Sequence, residues 1–397
     1  MPTDIKSLTR EELQAQFVAW KQPIYRVKQL MDWLYVQRVA DWDAMTNLSK
    51  DLREKLRQEF SLGTLELVRK QGSRDTTQKF LWRLADHSLI ESVLIPANPS
   101  LYGDASDRHT LCVSTQVGCA YGCEFCASGL DGFKRNLVPY EIVEQLMGVE
   151  RWSMKESSKS EAGASMLEAK EVLESKSESK TKHSRNSGRG FPGVRLVDNI
   201  VIMGMGEPLA NYDNLFKALR LLNSPWGGRI GARKITVSTS GLAPQIRKLA
   251  DEPEQFSLAI SLHGATDEVR EKIMPVNRKY PLKELCAALD YYQSRRGRMI
   301  TIEYILIAGV NDSLDQVRPL AALSHRLNAK VNLIPYNKVE DLPWSRPADE
   351  VCEEFVKALR AKRVVATLRR EKGHDIDAAC GQLRLKTEKE FAAGANK

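Results

Sequence analysis

Three cysteines within eight residues, Cys119, Cys123 and Cys126, form a C-x3-C-x2-C cluster directly after a predicted strand. Thiolates on so tight a loop, with Gly118 and Gly122 permitting close turns, suit three irons of a [4Fe-4S] cluster and leave the fourth iron open to a ligand. A structural zinc site completed by a residue such as His109 is the competing reading. Zinc sites usually pair their cysteines in two knuckles, and the sequence offers no second pair. The chain's seven cysteines are also too few and too uneven for a secreted disulfide framework.

A second set of polar residues recurs at the ends of predicted strands. Strands over Thr110–Val117, Asn199–Met203, Lys234–Ser238, Phe256–Leu262, Ile300–Ile307 and Lys330–Pro335 alternate with helices over Tyr140–Trp152, Tyr212–Leu222, Ala243–Ala250, Leu282–Gln293, Leu314–Leu327 and Asp349–Lys362. Six such units in series predict an α/β fold with a parallel sheet and outer helices, either doubly wound or a partial (β/α)6 barrel of the TIM type. Ligands bind at the carboxyl ends of such strands. There the sequence sets Gly206 and Glu207, Ser238, Ser261-Leu262-His263, Asn311-Asp312 and Tyr336-Asn337. Glycine lets backbone approach a bound S-adenosylmethionine (SAM), and the Glu207 carboxylate suits its ammonium group. Taken singly, each of these residues is as easily an ordinary turn or helix cap.

The remaining elements support this core. Residues 1–64 read as a small helical domain, with a start signal at Leu8–Leu13, helical spacing over Tyr25–Val36, and Lys21, Arg26, Lys28 and Arg38 as candidates for a basic, RNA-binding face. Residues 65–104 alternate as a small β linker carrying Glu91, whose simplest account is a solvent-facing carboxylate. The core spans 105–374, and 375–397 form a C-terminal segment with Cys380 and a loose tail after Lys386. Within the core, Arg151–Gly190 has ten serines with many Lys and Glu, and is expected to be a disordered insertion. Cys286 and Cys352 sit in apolar helical patterns as small core residues.

The 397 residues are 42% hydrophobic and 28% charged, enough for a full core, and the net charge of +8 favours a polyanionic partner. Nothing approaches the roughly 18 consecutive apolar residues of a membrane helix, and no signal peptide opens the chain. A cytoplasmic, soluble protein without membrane partners is expected. A non-catalytic RNA-binding protein with a structural metal site is the remote alternative, one that has no use for Cys112, Cys380 or the Gly-Glu-Pro turn.

Four motifs in order, Arg108–Cys119, Gly204–Leu209, Asn332–Asn337 and Asp375–Leu383, resemble the RlmN/Cfr family of radical SAM enzymes over nearly the whole chain. The resemblance implies methylation of adenine carbon 2 in 23S rRNA and tRNA by a ping-pong cycle that consumes two SAM molecules per turnover. It assigns the cluster to Cys119, Cys123 and Cys126, and SAM to Gly206, Glu207, Ser238, Ser261, Leu262, His263 and Asn337. By the same resemblance Cys380 carries the methyl as S-methylcysteine. Cys112 then resolves the protein–RNA crosslink through a transient disulfide with Cys380, and Glu91 accepts the carbon 2 proton. The resemblance further implies an electron donor such as flavodoxin and a monomeric enzyme, and the basic run Lys134-Arg135 after the cluster is expected, with the helical domain, to grip RNA phosphates. A Cfr-like adenine carbon 8 methyltransferase uses the same motifs and is the nearest alternative. The chain departs from the family in its insertion at 151–190 and in extra residues between Pro96 and Arg108.

Overall fold

A computed structural model describes residues 2–73, 76–97, 108–174, 195–340, 342–369 and 381–394. At the N-terminus, helix α1 (Arg10–Ala19) opens with a reciprocal cap. Thr9 accepts the Glu12 amide while the Glu12 carboxylate accepts the Thr9 amide. Helix α2 (Tyr25–Met31) continues as a π turn over Asp32–Val36, and α3 (Lys50–Glu59) is capped by Ser49. Phe17, Val27, Leu30, Leu34, Leu52 and Leu56 form their common core. Two buried ion pairs join this helical region to the next part of the chain, Lys6 with Glu144 at 2.6 Å and Arg38 with Glu150 at 3.4 Å. Arg38 is therefore a structural residue, and Lys21 and Lys28 are what remains exposed of the expected basic face.

One sheet of ten strands organises the described residues. Strands β1 (Glu66–Gly72), β2 (Gln78–Arg83) and β3 (Leu89–Pro96) run antiparallel, and β3 pairs antiparallel with β4 (His109–Cys112). The expected linker strands thus extend the main sheet instead of forming a unit of their own. Apart from it, β5 (Gln116–Gly118) and β6 (Phe133–Asn136) make an antiparallel pair around the cysteine loop. From β4 the order runs through β7 (Asn199–Ile202), β8 (Ile235–Thr239), β9 (Ser257–Ser261), β10 (Ile300–Leu306), β11 (Ala329–Pro335) and β12 (Ala366–Leu368), all parallel. Ile200, Ile202, Val237, Leu258, Ile260, Ile302, Val331 and Leu333 are buried as strands covered by helices require.

The covering helices are α4 (Pro139–Glu174), α5 (Tyr212–Asn223), α6 (Ala243–Asp251), α7 (Asp267–Ile273), α8 (Leu282–Arg296), α9 (Val317–Arg326) and α10 (Asp349–Ala361), followed by α11 (Gln382–Gly394). Three of these features depart from the sequence expectations. Helix α4 runs on to Glu174, through the first part of the segment expected to be disordered. Its buried first half, with Ile142, Val143, Leu146 and Met147, seeds a helix that Lys, Glu and Ala then propagate cheaply. The tail expected to be loose is α11, which buries Leu383 against Leu81 and Leu89. The parallel run has a seventh strand, β12, too short to show alternation.

Candidate active site

The cysteine loop hangs between β5 and β6. Gly118 has φ +75°, and a Cβ there would lie 1.9 Å from the Gly132 carbonyl oxygen, so only glycine fits the crossing. Cys119 donates its amide to that same oxygen at 3.1 Å, and Cys126 to the Cys123 carbonyl at 3.0 Å. From outside, Trp344 donates its indole N–H to the Glu124 carbonyl at 2.7 Å, and the Glu124 amide reaches the Ile273 carbonyl at 3.0 Å. All three cysteines line one cavity of about 360 Å³. Burial pushes the Cys119 thiol up to about 11 and the Cys123 thiol well above its ordinary value. Thiolates so desolvated need a cation beside them, which is what iron supplies. Among the described residues no three His, Cys, Asp or Glu side chains converge on a single-ion site. A four-iron cluster asks for no such convergence, because each thiolate takes its own iron. The residues fit the cluster.

Facing that loop are strand-end residues drawn from across the sheet. Gly206 has φ +100°, and a Cβ would press within 2.5 Å of Gln116, so this turn also requires glycine. The amide of Glu207 donates to Gln116 Oε1 at 2.8 Å. Its carboxylate accepts the amides of Leu209 at 3.0 Å and Ser240 at 2.7 Å, while burial raises its proton affinity. Ser238 and Ser261 place their hydroxyls 3.4 Å apart. Together with His263 and Asn337, these residues line the cavity that holds the three cysteines. Leu262 is buried behind that wall, its amide bonded to the Glu303 carbonyl at 3.0 Å.

His263 has φ +56°, a strained conformation for a side chain of its size. Its Nδ1 accepts the Ile305 amide at 3.0 Å, so the ring's proton sits on Nε2. Burial pushes its pKa down to about 3, and Phe125 of the cysteine loop meets the ring edge-to-face at 4.9 Å. Two residues support this arrangement, Asn311, expected only as a polar residue at a strand end, and Arg270, which the sequence reading did not single out. Asn311, fully buried, donates to the His263 carbonyl at 2.7 Å and the Ile305 carbonyl at 2.6 Å, and accepts the Ile307 amide at 2.7 Å. Arg270, also fully buried, bonds the Leu262 and Ser240 carbonyls and Asn277, stapling two strand ends together. Burial lowers its pKa to about 10. The tight glycine turns around Arg270 were the available signal, since a Cβ at Gly264 would lie 2.5 Å from its backbone.

Cys112, the last residue of β4, is buried and lines the same cavity, level with Val93 of β3. Glu91 stands two residues before Val93 on the same face of β3, and it is buried rather than solvent-facing. Its carboxylate pairs with buried Lys79 at 3.0 Å and accepts the amides of Gly381 at 2.8 Å and Arg384 at 2.7 Å, the opening of α11. Cys380 lies outside the described residues. Arg135 is held by Glu141 at 2.8 Å and Asp86 at 2.6 Å, an ion-pair network that ties the β6 strand to α4. Lys134, the other member of the expected basic pair, is half exposed and lies 3.9 Å from Glu388.

Comparison with known proteins agrees with this architecture. The family model "Ribosomal RNA large subunit methyltransferase N-terminal domain" matches residues 3–62, and the radical SAM superfamily model matches 194–318. The "Probable dual-specificity RNA methyltransferase RlmN 3" of Opitutus terrae is 52% identical over 382 residues, covering 96% of this chain and 94% of that protein. The "Probable dual-specificity RNA methyltransferase RlmN" of Akkermansia muciniphila is 47% identical over 386 residues, covering 97% and 96%. A crystal structure of a radical SAM methyltransferase from Sphaerobacter thermophilus superposes with a TM-score of 0.80 at 41% identity, over 96% of this chain and 99% of that one. The chain belongs to the RlmN family of radical SAM RNA methyltransferases.

Proposed function

We propose that this protein methylates carbon 2 of adenine in 23S rRNA and in tRNA, working as a cytoplasmic monomer with an electron donor of the flavodoxin type. The observation that carries the reading is the single cavity shared by Cys112, the three loop cysteines, Glu207, Ser238, Ser261, His263 and Asn337. Carbon 2 of adenine is electron-poor and offers a methyl cation nothing to attack. A carbon radical adds there, and covalent catalysis through a protein thiol divides the difficult step. The cluster, when bound by Cys119, Cys123 and Cys126, supplies the electron that cleaves SAM.

The chain's own residues do the rest. Gly206 leaves room for the methionine backbone, and Glu207 accepts its ammonium group. Neutral His263, Ser238, Ser261 and Asn337 line the remainder of the cofactor's path without adding charge, and Leu262 supports the wall from behind. Cys380 carries the one-carbon unit to the base, and Glu91 takes the carbon 2 proton as the adduct gives its unpaired electron back to the electron-transfer chain. Cys112 then attacks the Cys380 sulfur, so that the S–S bond forms as the sulfur–carbon bond breaks and the released carbon takes a proton to become the product methyl, and the electron donor reduces the disulfide. A target base flips out of its RNA to enter the cavity, while the helical N-terminal region holds the RNA by phosphate and shape.

Mass spectrometry of nucleosides from 23S rRNA and tRNA fractions, in cells with and without the gene, tests this reading. Loss of 2-methyladenosine from both fractions is expected. Loss of 8-methyladenosine instead overturns the carbon 2 assignment, and loss from one fraction alone limits the substrate range.

A further inference from the structure

The cavity wall on β10 carries a carboxylate that neither the cluster nor the motif resemblance employs. Glu303 is 7% exposed and lines the cavity. It stands level with Ser261 on β9 and Asn332 on β11, and Asn332 in turn with Thr367 on β12. Four neighbouring strands therefore present one polar row. Thr367 donates its hydroxyl to Asn332 Oδ1 at 3.2 Å, and Asn332 Nδ2 donates to Glu303 Oε2 at 2.7 Å. That chain fixes the carboxylate's orientation and leaves Oε1 without a hydrogen-bond partner among the described residues. Arg369 lines the same cavity, and its charge only partly offsets the cost of burying Glu303.

A carboxylate held this deep without a full set of donors is costly, and it is relieved when a ligand brings hydroxyls or amines to it. We propose that Glu303 is a ribose-binding residue, accepting hydrogen bonds from the hydroxyls of the adenosyl group. The proposal rests on the reading of this cavity as a SAM site. Three features single out the ribose. Ser261, the register partner of Glu303, belongs to the proposed SAM contacts. Glu207, the proposed ammonium acceptor, follows β7, three strands away, so Glu303 faces the other end of an elongated ligand. A carboxylate beside a parallel sheet also reads ribose hydroxyls in dinucleotide-binding folds.

The test is equilibrium binding of SAM and of its 2'-deoxy analogue to the full, cluster-loaded chain without reductant. The wild type is expected to favour SAM over the analogue by about 10- to 100-fold, the range for a hydrogen bond to a charged acceptor. Glu303→Gln keeps an oxygen for Asn332 but turns an N–H toward the cavity. It is expected to bind both ligands alike, at the weaker affinity. Asn332→Leu, which frees the carboxylate without removing it, is expected to lose part of the preference and covers the case in which Glu303→Gln does not fold. An unchanged preference in the variants, an equal loss for both ligands, or weakened RNA binding with unchanged SAM affinity overturns the assignment of Glu303. A wild type that binds no SAM overturns instead the reading of the cavity on which the assignment rests.

Discussion

The Glu91 carboxylate accepts the backbone N–H of Gly381 at 2.8 Å, tying the middle of β3 to the residue immediately after Cys380. The same carboxylate caps Arg384 and pairs with Lys79, so one buried side chain satisfies the opening of a helix and a buried lysine together. Glu91→Gln should loosen α11, with faster amide exchange at Leu383 to Leu385 and a stability loss of roughly 1–3 kcal/mol from the lost cap and weakened pair. Unaltered exchange across α11 would show that the helix is anchored by other contacts. On the proposed cycle, the variant should also accumulate a covalent protein–RNA species, because the carbon 2 proton then lacks its acceptor.

This relationship marks where sequence reading stops. Strand ends and their polar residues were legible because a parallel strand shows as an apolar run and its ligand-facing end as a break in that run. Five of the six predicted strands fall within two residues of the observed ones, and the sixth, Thr110–Val117, resolves into β4 and β5. Glu91, Lys79, Asn311 and Arg270 were not legible as supports, since each acts through partners that only the fold aims at it. Glu91 and Gly381 are separated by 290 positions. The alternation of β3 fits a solvent-facing Glu91 as well as one facing α11, and only the packing of α11 on the sheet decides between them. For the insertion, composition spoke correctly of low apolar content but not of the helix seed that precedes it.

His263 offers a measurable pH dependence. Its pKa falls to about 3 in the folded protein, against an ordinary value of 6.5. Between those limits the unfolded chain binds the proton and the folded chain does not, so stability is full above pH 6.5 and declines as the pH drops toward 3. His263→Asn tolerates the positive φ and removes the titration. At pH 5 it should recover roughly 2 kcal/mol of the acid destabilisation relative to its own value at pH 7.5. Parallel denaturation curves at both pH values measure this, and an identical pH slope in variant and wild type would contradict it.

The α4 helix sets where the insertion becomes dispensable. Arg151 pairs with Glu144 at 2.5 Å, Trp152 packs edge-to-face on Phe80 at 5.1 Å, and Arg38 reaches Met154. Replacing residues 159–190 by a short Gly/Ser linker should therefore change stability by less than about 1 kcal/mol, because closure cost grows slowly with loop length. Starting the replacement at Arg151 should cost more, about 2–4 kcal/mol, through the lost aromatic contact and the lost Arg151 partner of Glu144, which keeps only Lys6. Chemical denaturation of both variants decides the matter. A large loss of RNA affinity in the 159–190 replacement, with stability intact, would make the segment a binding arm.

The proposed cycle gives Cys380 and Cys112 different steps, and single substitutions separate them. Cys380→Ala should still bind cluster and SAM, since the proposed cluster and SAM contacts are unaltered, yet it should form neither methylated protein nor methylated RNA. Cys112→Ala should accept a methyl on Cys380 and add to RNA, but it lacks the thiol that resolves the adduct. Cys112 is buried on the cavity wall, opposite Val93 of β3, so no bulk thiol replaces it readily. Denaturing gels should then show a covalent protein–RNA band that the wild type lacks, and mass spectrometry of the digested band should find the link at Cys380. If Cys112→Ala releases free methylated RNA at the wild-type rate, Cys112 is not the resolving thiol, whatever the cluster binds.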